Sequence, residues 1–183
     1  MNADSNHLLT KALVSVYTGS GRGKTTAALG LALRVLGWGG SVCVVQFIKG
    51  YANIGEARIA DSFPQRFKLV QFAADDGLSI TENDLLSRVD AAGKALCFAE
   101  SVVAEGQYDL VILDEINNAL SYNLISLPPV LEMIHARPDH VELVLTGRGA
   151  PDEIIEVADY VTEMKLVKHP FERGITARRG IDY

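Results

Sequence analysis

Runs of apolar residues alternate with stretches of helical spacing along nearly the whole chain. Two of the runs, Val42–Val45 and Leu110–Leu113, are apolar without interruption, which is typical of strands that carry helices on both faces. Alternating strands and helices predict an α/β fold with a mostly parallel sheet in three layers. The six predicted strands are Leu13–Tyr17, Val42–Ile48, Lys68–Phe72, Leu110–Leu113, Val141–Leu145 and Tyr160–Leu166.

Helical spacing is clearest over residues 82–105, where apolar residues recur every three or four positions. Two further helices are predicted to begin near Ser126 and Ala150. Both residues shortly precede a proline, and proline is favoured in the first turn of a helix. The sequence therefore predicts at least three helices after the third strand.

A glycine-rich segment joins the first predicted strand to an alanine- and leucine-rich helix that ends at Gly37. Strand, glycine loop and helix are the context of a P-loop, whose backbone N–H groups bind the phosphates of a nucleotide. Lys24 would bridge the terminal phosphates and Thr25 would hold Mg²⁺. We therefore expect a P-loop NTPase-like fold. The expected phosphate-binding residues are Gly19, Ser20, Gly21, Arg22, Gly23, Lys24, Thr25 and Thr26.

The loop departs from the common P-loop spacing at its outer turn. The common pattern has four residues between the first glycine and the Gly-Lys pair, and that first position here is Thr18. Only three residues separate Gly19 from Gly23. Threonine does not easily take a positive φ, so we expect a tighter loop that holds its nucleotide in a different pose. A glycine turn without a ligand is the alternative.

Charged residues follow two other predicted strands, at the ends where ligands bind in open parallel sheets. Asp114 and Glu115 come directly after Leu110–Leu113, which is the Walker B arrangement. One carboxylate would reach Mg²⁺ directly or through water, and the other would orient a ligand. Arg148 follows the fifth strand and would contact phosphate, with a solvated arginine as the alternative. Lys24, Arg148 and Glu115 are the candidate catalytic residues.

The composition suits one domain over residues 1–183, with a polar first segment, residues 1–11, and a basic tail, residues 165–183. A net charge of −6 argues against nucleic acid as a partner, because binding to a phosphate backbone needs a basic surface. The tail could serve an anionic small molecule, and a solvated tail is the alternative.

The sequence favours a cytoplasmic protein, because residues 1–11 are too polar for a secretory signal and the cysteines show no disulfide or metal pattern. No apolar span reaches the length of a bilayer, so no membrane association is expected. Cys43 and Cys97 have neither CxxC nor zinc-ligand spacing, and both are interpreted as buried thiols in a reducing compartment. The four histidines show no metal-ligand spacing either.

The P-loop alone leaves the class of function open. A guanine-reading Asn-Lys-x-Asp motif does not occur in the sequence, so a GTPase switch is disfavoured. A small-molecule kinase or ATPase would need the same phosphate cradle and metal ion. A nucleotide-binding module without catalysis is a third interpretation.

Further segments narrow this choice because they follow one another in the order of a known family. They are GSGRGKTTAALG at 19–30, VVQFIKG at 44–50, DLVILDEINNAL at 109–120, ARPDH at 136–140, LTGRGAPDEIIEVADYVTEM at 145–164 and VKHPFERGITARRGIDY at 167–183. From about Leu13 to the last residue, the chain resembles the P-loop ATP:corrinoid adenosyltransferases. Co-linear segments are a more specific indication than the P-loop alone.

The resemblance implies that cob(I)alamin, a reduced corrinoid, attacks the 5′ carbon of ATP, which yields adenosylcobalamin and triphosphate. Residues 19–26 would hold the triphosphate, and Arg148 would contact phosphate. Thr25 with Asp114 or Glu115 would hold the divalent cation, Mg²⁺ or alternatively Mn²⁺. The corrinoid supplies the nucleophile, so no side-chain base is needed. The resemblance also implies an electron donor, which the sequence does not identify, and a homodimer.

Two departures from the family pattern concern the corrinoid. Relatives carry a Phe-x-Trp pair before the long helix, thought to line the corrinoid site, and Leu78 and Ile80 occupy these positions here. They keep an apolar face but are expected to expel the lower axial ligand of cobalt less completely. Only 17 residues precede Thr18, fewer than in many relatives, so a reduced N-terminal cap is expected.

Overall fold

Strands and helices alternate along the three described ranges of the computed structural model, residues 7–48, 54–72 and 82–182. A short 3₁₀ turn, Pro170–Arg173, follows the last strand. In chain order the strands and helices are β1 Val14–Thr18, α1 Lys24–Gly37, β2 Val42–Gln46, α2 Gly55–Ser62, β3 Phe67–Gln71, α3 Glu82–Glu105, β4 Leu110–Asp114, α4 Ile116–Ser121, α5 Leu127–Ala136, β5 Glu142–Thr146, α6 Asp152–Val157 and β6 Tyr160–Glu163.

The six strands form one sheet in the order β3-β2-β4-β5-β1-β6, and every pair of neighbours is parallel. The predicted mostly parallel sheet is thus parallel throughout the described strands. All carboxyl ends lie at one edge, which we call the carboxyl edge. All six strand-ending residues are polar or acidic, and they are Thr18, Gln46, Gln71, Asp114, Thr146 and Glu163.

Alternating side chains of the strands bury two separate clusters, one on each face of the sheet. On one face, Val44 and Ile112 pack against α1, which contributes Ala28, Ala32, Val35 and Leu36. On the other face, Val45 and Leu113 pack under helices that follow β3. The predicted three layers are therefore confirmed, and the uninterrupted apolar strands are those covered on both faces.

The structure differs from the sequence-based expectations mainly at short elements. The helices α2 and α4 were not predicted, because α2 buries no side chain and α4 has only 6 residues. The last strand ends at Glu163 rather than Leu166, and all four of its residues are exposed. Pro151 lies at the N-cap of α6 instead of inside its first turn.

The two cysteines occupy different environments, which corrects the expectation that both are buried. Cys43 lies in β2 and is buried, whereas Cys97 is exposed on α3. Burial raises the pKa of the Cys43 thiol to about 12. That thiol is therefore protonated and unreactive at neutral pH.

Candidate active site

The P-loop begins where β1 ends and packs tightly against the backbone that follows β6. Gly19 and Gly23 have φ of 91° and 113°, values that favour glycine. The Gly21 N–H donates to the Met164 carbonyl oxygen at 2.6 Å. A Cβ atom at Gly19 or Gly21 would lie 2.6 Å from that same oxygen. The close backbone approach therefore requires glycine at both positions, and at Gly19 the positive φ requires it as well.

Lys24 opens α1 and is held inside the loop that precedes it. Its side chain is buried, and its ammonium nitrogen Nζ donates to the carbonyl oxygens of Gly19 and Gly21, each at 2.8 Å. These contacts place the positive charge of Lys24 beside the first backbone N–H groups of α1. The arrangement concentrates positive potential at one point, as a phosphate site requires.

Asp114 is the buried acidic residue of the site and ends β4. Its Oδ1 atom accepts from the hydroxyl groups of Thr25 at 2.8 Å and Thr146 at 2.7 Å. Its Oδ2 atom accepts from the Gln46 amide at 3.1 Å. A carboxylate beside a threonine hydroxyl is a hard oxygen donor set of the kind that Mg²⁺ prefers. The residues present therefore fit a divalent cation.

Glu115 follows Asp114 but takes a different position and backbone conformation. Its φ of 67° lies in the left-handed region, where residues other than glycine are strained. Its backbone N–H donates to the Thr146 hydroxyl at 3.0 Å, and the residue lines the pocket beside the P-loop. The acidic pair is thereby divided into a buried carboxylate and one at the pocket wall.

Arg148 lies just beyond β5 and is tied to α4 through its backbone. Its N–H donates to the Asn118 Oδ1 atom, and both residues line the pocket. Gly147 has a φ of 133°, and a Cβ there would lie 2.8 Å from the Asn118 backbone nitrogen. The turn therefore needs glycine so that Arg148 can reach the carboxyl edge.

The basic tail folds back onto the P-loop instead of extending into solvent. The Arg22 guanidinium contacts an Asp182 carboxylate oxygen at 2.6 Å and donates to the Ile181 carbonyl oxygen at 2.6 Å. The Arg178 backbone N–H and side chain donate to the other Asp182 oxygen. These hydrogen bonds, with the charges of Arg178 and Arg22, hold the pKa of Asp182 below its usual range. Arg22 of the predicted cradle thus contacts the tail.

These elements surround one open pocket of about 840 Å³, a size usual for small-molecule sites. Every predicted residue from Ser20 to Thr26 lines it, as do Glu115 and Arg148. Leu78 and Ile80 lie outside the described residues. Among the residues that the structure describes, no group of three or more His, Cys, Asp or Glu side chains could hold a metal, and no helix is long and apolar enough to cross a membrane.

Sequence reasoning missed several residues of this site. Gln46 and Thr146 contact Asp114 directly, and Asn118 holds the Arg148 backbone. Gln46 and Thr146 each have a signal that could have found them, because each is a polar residue at the end of an apolar run. Tail residues also complete the pocket wall, and these are Leu166, His169, Phe171, Gly180, Ile181 and Asp182.

Comparison with known proteins covers almost the whole chain. The family model described as ATP:corrinoid adenosyltransferase BtuR/CobO/CobP matches residues 10–183. The corrinoid adenosyltransferase of Pseudomonas aeruginosa is 39% identical over 173 residues, which cover 94% of this chain and 84% of that protein. Those of Escherichia coli K12 and Salmonella typhimurium are 35% and 36% identical, each covering 94% of this chain and 86% of the relative.

Proposed function

Since the chain belongs to the ATP:corrinoid adenosyltransferase family, we propose that it transfers the 5′-deoxyadenosyl group of ATP to the cobalt of a reduced corrinoid. In this reaction Co(I) supplies both electrons of the new cobalt–carbon bond. The bond between C5′ and its oxygen breaks, and triphosphate leaves with that electron pair. Electrons and atoms balance without a proton transfer from the protein.

The hydrogen bond between Thr25 and Asp114 is the structural observation that best supports this proposal. It joins the end of the P-loop to the buried carboxylate of β4 at the wall of a pocket of about 840 Å³. Lys24 and the N–H groups of the loop would bind the triphosphate, and Arg148, which lines the same pocket, would contribute a second cation. Charge that accumulates on the departing triphosphate is then met by groups that are already oriented.

We assign the divalent cation, Mg²⁺ or Mn²⁺, to Thr25 and Asp114, with Glu115 at the pocket wall. When bound, the cation neutralises phosphate charge and so makes triphosphate a better leaving group. The protein residues hold the phosphates and orient C5′. No side chain has to remove a proton, because the reduced corrinoid itself supplies the nucleophile.

Leu78 and Ile80 remain our candidates for the apolar wall under the corrinoid. A larger ring at Ile80 would exclude the lower axial ligand of cobalt more completely, because it buries more apolar area. Ile80→Trp should therefore increase the four-coordinate Co(II) fraction in spectra of the ATP complex, and Ile80→Asp should abolish it. Two spectra identical to that of the unaltered protein would place the corrinoid wall elsewhere.

Reaction products test the proposed function directly. Purified protein is incubated with ATP, Mg²⁺ and chemically reduced corrinoid, and corrinoid absorbance is followed together with phosphate products. Adenosylated corrinoid and triphosphate in equal amounts are expected. ADP formed in step with turnover would identify a kinase or ATPase, and unchanged ATP would identify a binding module.

We further propose that the protein is a cytoplasmic homodimer and that a separate electron donor reduces the corrinoid.

A further inference from the structure

Four neighbouring strands end in polar residues that lie in one register across the carboxyl edge. Gln71 of β3 pairs with Gln46 of β2, and Gln46 pairs with Asp114 of β4. Thr146 of β5 follows the pair formed by the preceding residues of β4 and β5. We call Gln71, Gln46, Asp114 and Thr146 the polar row. Two positions earlier in these strands, the residues are apolar and pack beneath α1, and they are Leu69, Val44, Ile112 and Val144.

Hydrogen bonds within the polar row converge on Asp114 from both sides. Asp114 can only accept while ionised, so the Gln46 Nε2 atom faces its Oδ2 atom at 3.1 Å. The Gln46 Oε1 atom is then turned the other way and accepts from the Gln71 Nε2 atom at 2.8 Å. Gln46 is fully buried, whereas Gln71 lines the pocket. A chain of two bonds therefore leads from the pocket wall at β3 to the carboxylate at β4.

The two carboxylate oxygens of Asp114 have separate tasks in this arrangement. Oδ2 is bound by Gln46 within the sheet, and Oδ1 faces the hydroxyl groups of Thr25 and Thr146. Rotation of the carboxylate would break bonds on both oxygens at once. Gln46 thereby determines which oxygen is presented to the first turn of α1.

We propose that Gln46 is a positioning residue for the divalent cation, acting through Asp114 and anchored by Gln71. The inference rests on the proposed cation role of Thr25 and Asp114. Packing alone does not require an amide here, because a methionine would fill the same buried space without needing partners. The Gln46 amide is hydrogen-bonded through both its nitrogen and its oxygen, so it can fix the orientation of Asp114. Residues that contact metal ligands commonly have this role.

If Gln46 positions Asp114, loss of the Gln46 amide should weaken cation binding. Free Mn²⁺ is measured by electron paramagnetic resonance during titration of the full chain in the presence of ATP. Gln46→Met should raise the Mn²⁺ dissociation constant by about tenfold, since a hydrogen bond to a charged group is lost. Its adenosyl transfer should fall at low Mg²⁺ and recover at saturating Mg²⁺. Gln71→Met removes only the anchor and should raise the constant by about threefold.

Val44→Ala is the matched control, because Val44 lies on the same face of β2 and makes no polar contact. It should lower the melting temperature while leaving the Mn²⁺ constant within about twofold of the unaltered protein. A folded Gln46→Met protein with unchanged Mn²⁺ affinity would overturn the role of Gln46 but not the proposed cation site. If Gln46→Met does not fold, an unchanged constant in Gln71→Met overturns it. An unaltered protein whose ATP complex binds no Mn²⁺ would overturn the proposed cation site as well.

Discussion

The strand β4 is bracketed by two buried aspartates, and their surroundings differ. Asp109 precedes the strand and accepts from the backbone N–H groups of Leu8 and Ser41 at 2.7 and 2.8 Å and from the Ser41 hydroxyl at 3.0 Å. Asp114 ends the strand and accepts from the side chains of Thr25, Thr146 and Gln46. Burial is nearly equal, with 5% and 0% of the two residues exposed.

The partners, rather than burial, separate a structural aspartate from one suited to a ligand. Backbone N–H groups cannot be withdrawn without moving the chain, so Asp109 fastens the N-terminal segment to the loop before β2. Hydroxyl side chains can rotate, so the bonds from Thr25 and Thr146 to Asp114 can be exchanged for a cation while the Gln46 amide holds the other carboxylate oxygen. We therefore expect changes at the carboxyl edge to alter activity and changes at the opposite edge to alter stability.

Lys24→Ala should give the largest effect at the carboxyl edge. The ammonium of Lys24 is oriented before the reaction by Gly19 and Gly21, and the loss of such a charge costs about 3 kcal/mol of transition-state stabilisation. Adenosyl transfer at saturating ATP should fall by on the order of 10²-fold, while the melting temperature changes little. An unchanged rate would show that Lys24 does not touch the reacting polyanion.

Asp114→Asn and Glu115→Gln come next, because each keeps side-chain volume and removes one charge. We expect Asp114→Asn to raise the Mg²⁺ concentration needed for half-maximal activity by about tenfold or more, and Glu115→Gln to raise it less. Circular dichroism should show an unchanged fold in both. Two Mg²⁺ titrations that match that of the unaltered protein would contradict the assignment of this acidic pair.

Asp109→Asn is the corresponding change at the other end of β4, with an effect on stability. It should lower the free energy of unfolding by about 1–3 kcal/mol, since an amide cannot accept on both sides. The rate per folded molecule should stay the same. Denaturant unfolding and initial rates measured on one preparation check both parts. If Asp109→Asn kept its stability but lost activity, Asp109 would act in the reaction and not in the stability of the fold.

The difference in stability between the unaltered protein and Asp109→Asn should depend on pH. Burial would raise the pKa of Asp109, but the hydrogen bonds from Leu8 and Ser41, together with nearby His7, hold it below the ordinary value of 3.8. A lowered pKa stabilises the fold above the ordinary value, and that contribution is lost as pH falls through the pKa of the folded state. The stability difference between the two proteins should therefore be full at pH 7 and shrink below about pH 4.

Asp182→Asn should give the smallest effect, because its ion pair with Arg22 is largely exposed. The tail should become more accessible to protease, and the KM for ATP should change by about threefold or less. Limited proteolysis with and without ATP measures the first effect. A loss of activity as large as that of Lys24→Ala would mean that the tail belongs to the phosphate site itself.

Patterns within continuous segments predicted most of this molecule. The strands, the helix Glu82–Glu105 and the P-loop are each encoded by neighbouring residues, so their positions followed from spacing alone. The split between Asp114 and Glu115 did not, because it depends on the left-handed backbone at Glu115. Contacts between distant strands, such as Gln46 with Asp114, have no local signature either.

The position of the basic tail could not be predicted from the sequence either. Its charge was visible, but charge alone allows a solvated segment as well as a folded one. Contacts of Arg22 with Ile181 and Asp182, which lie far from it in the sequence, bring the tail to the pocket. The family resemblance supplied the chemistry of the site, since a phosphate cradle by itself is compatible with several reactions.

The placement of the last residues has a practical consequence for handling the protein. Ile181 and Asp182 form part of the pocket wall, so a purification tag fused at the C-terminal end would follow directly on residues of that wall. Leu8 is bound at the opposite edge of the sheet through Asp109. The anchored residue Leu8 thus lies away from the pocket, so an immobilised protein should be attached to its support through the N-terminal end.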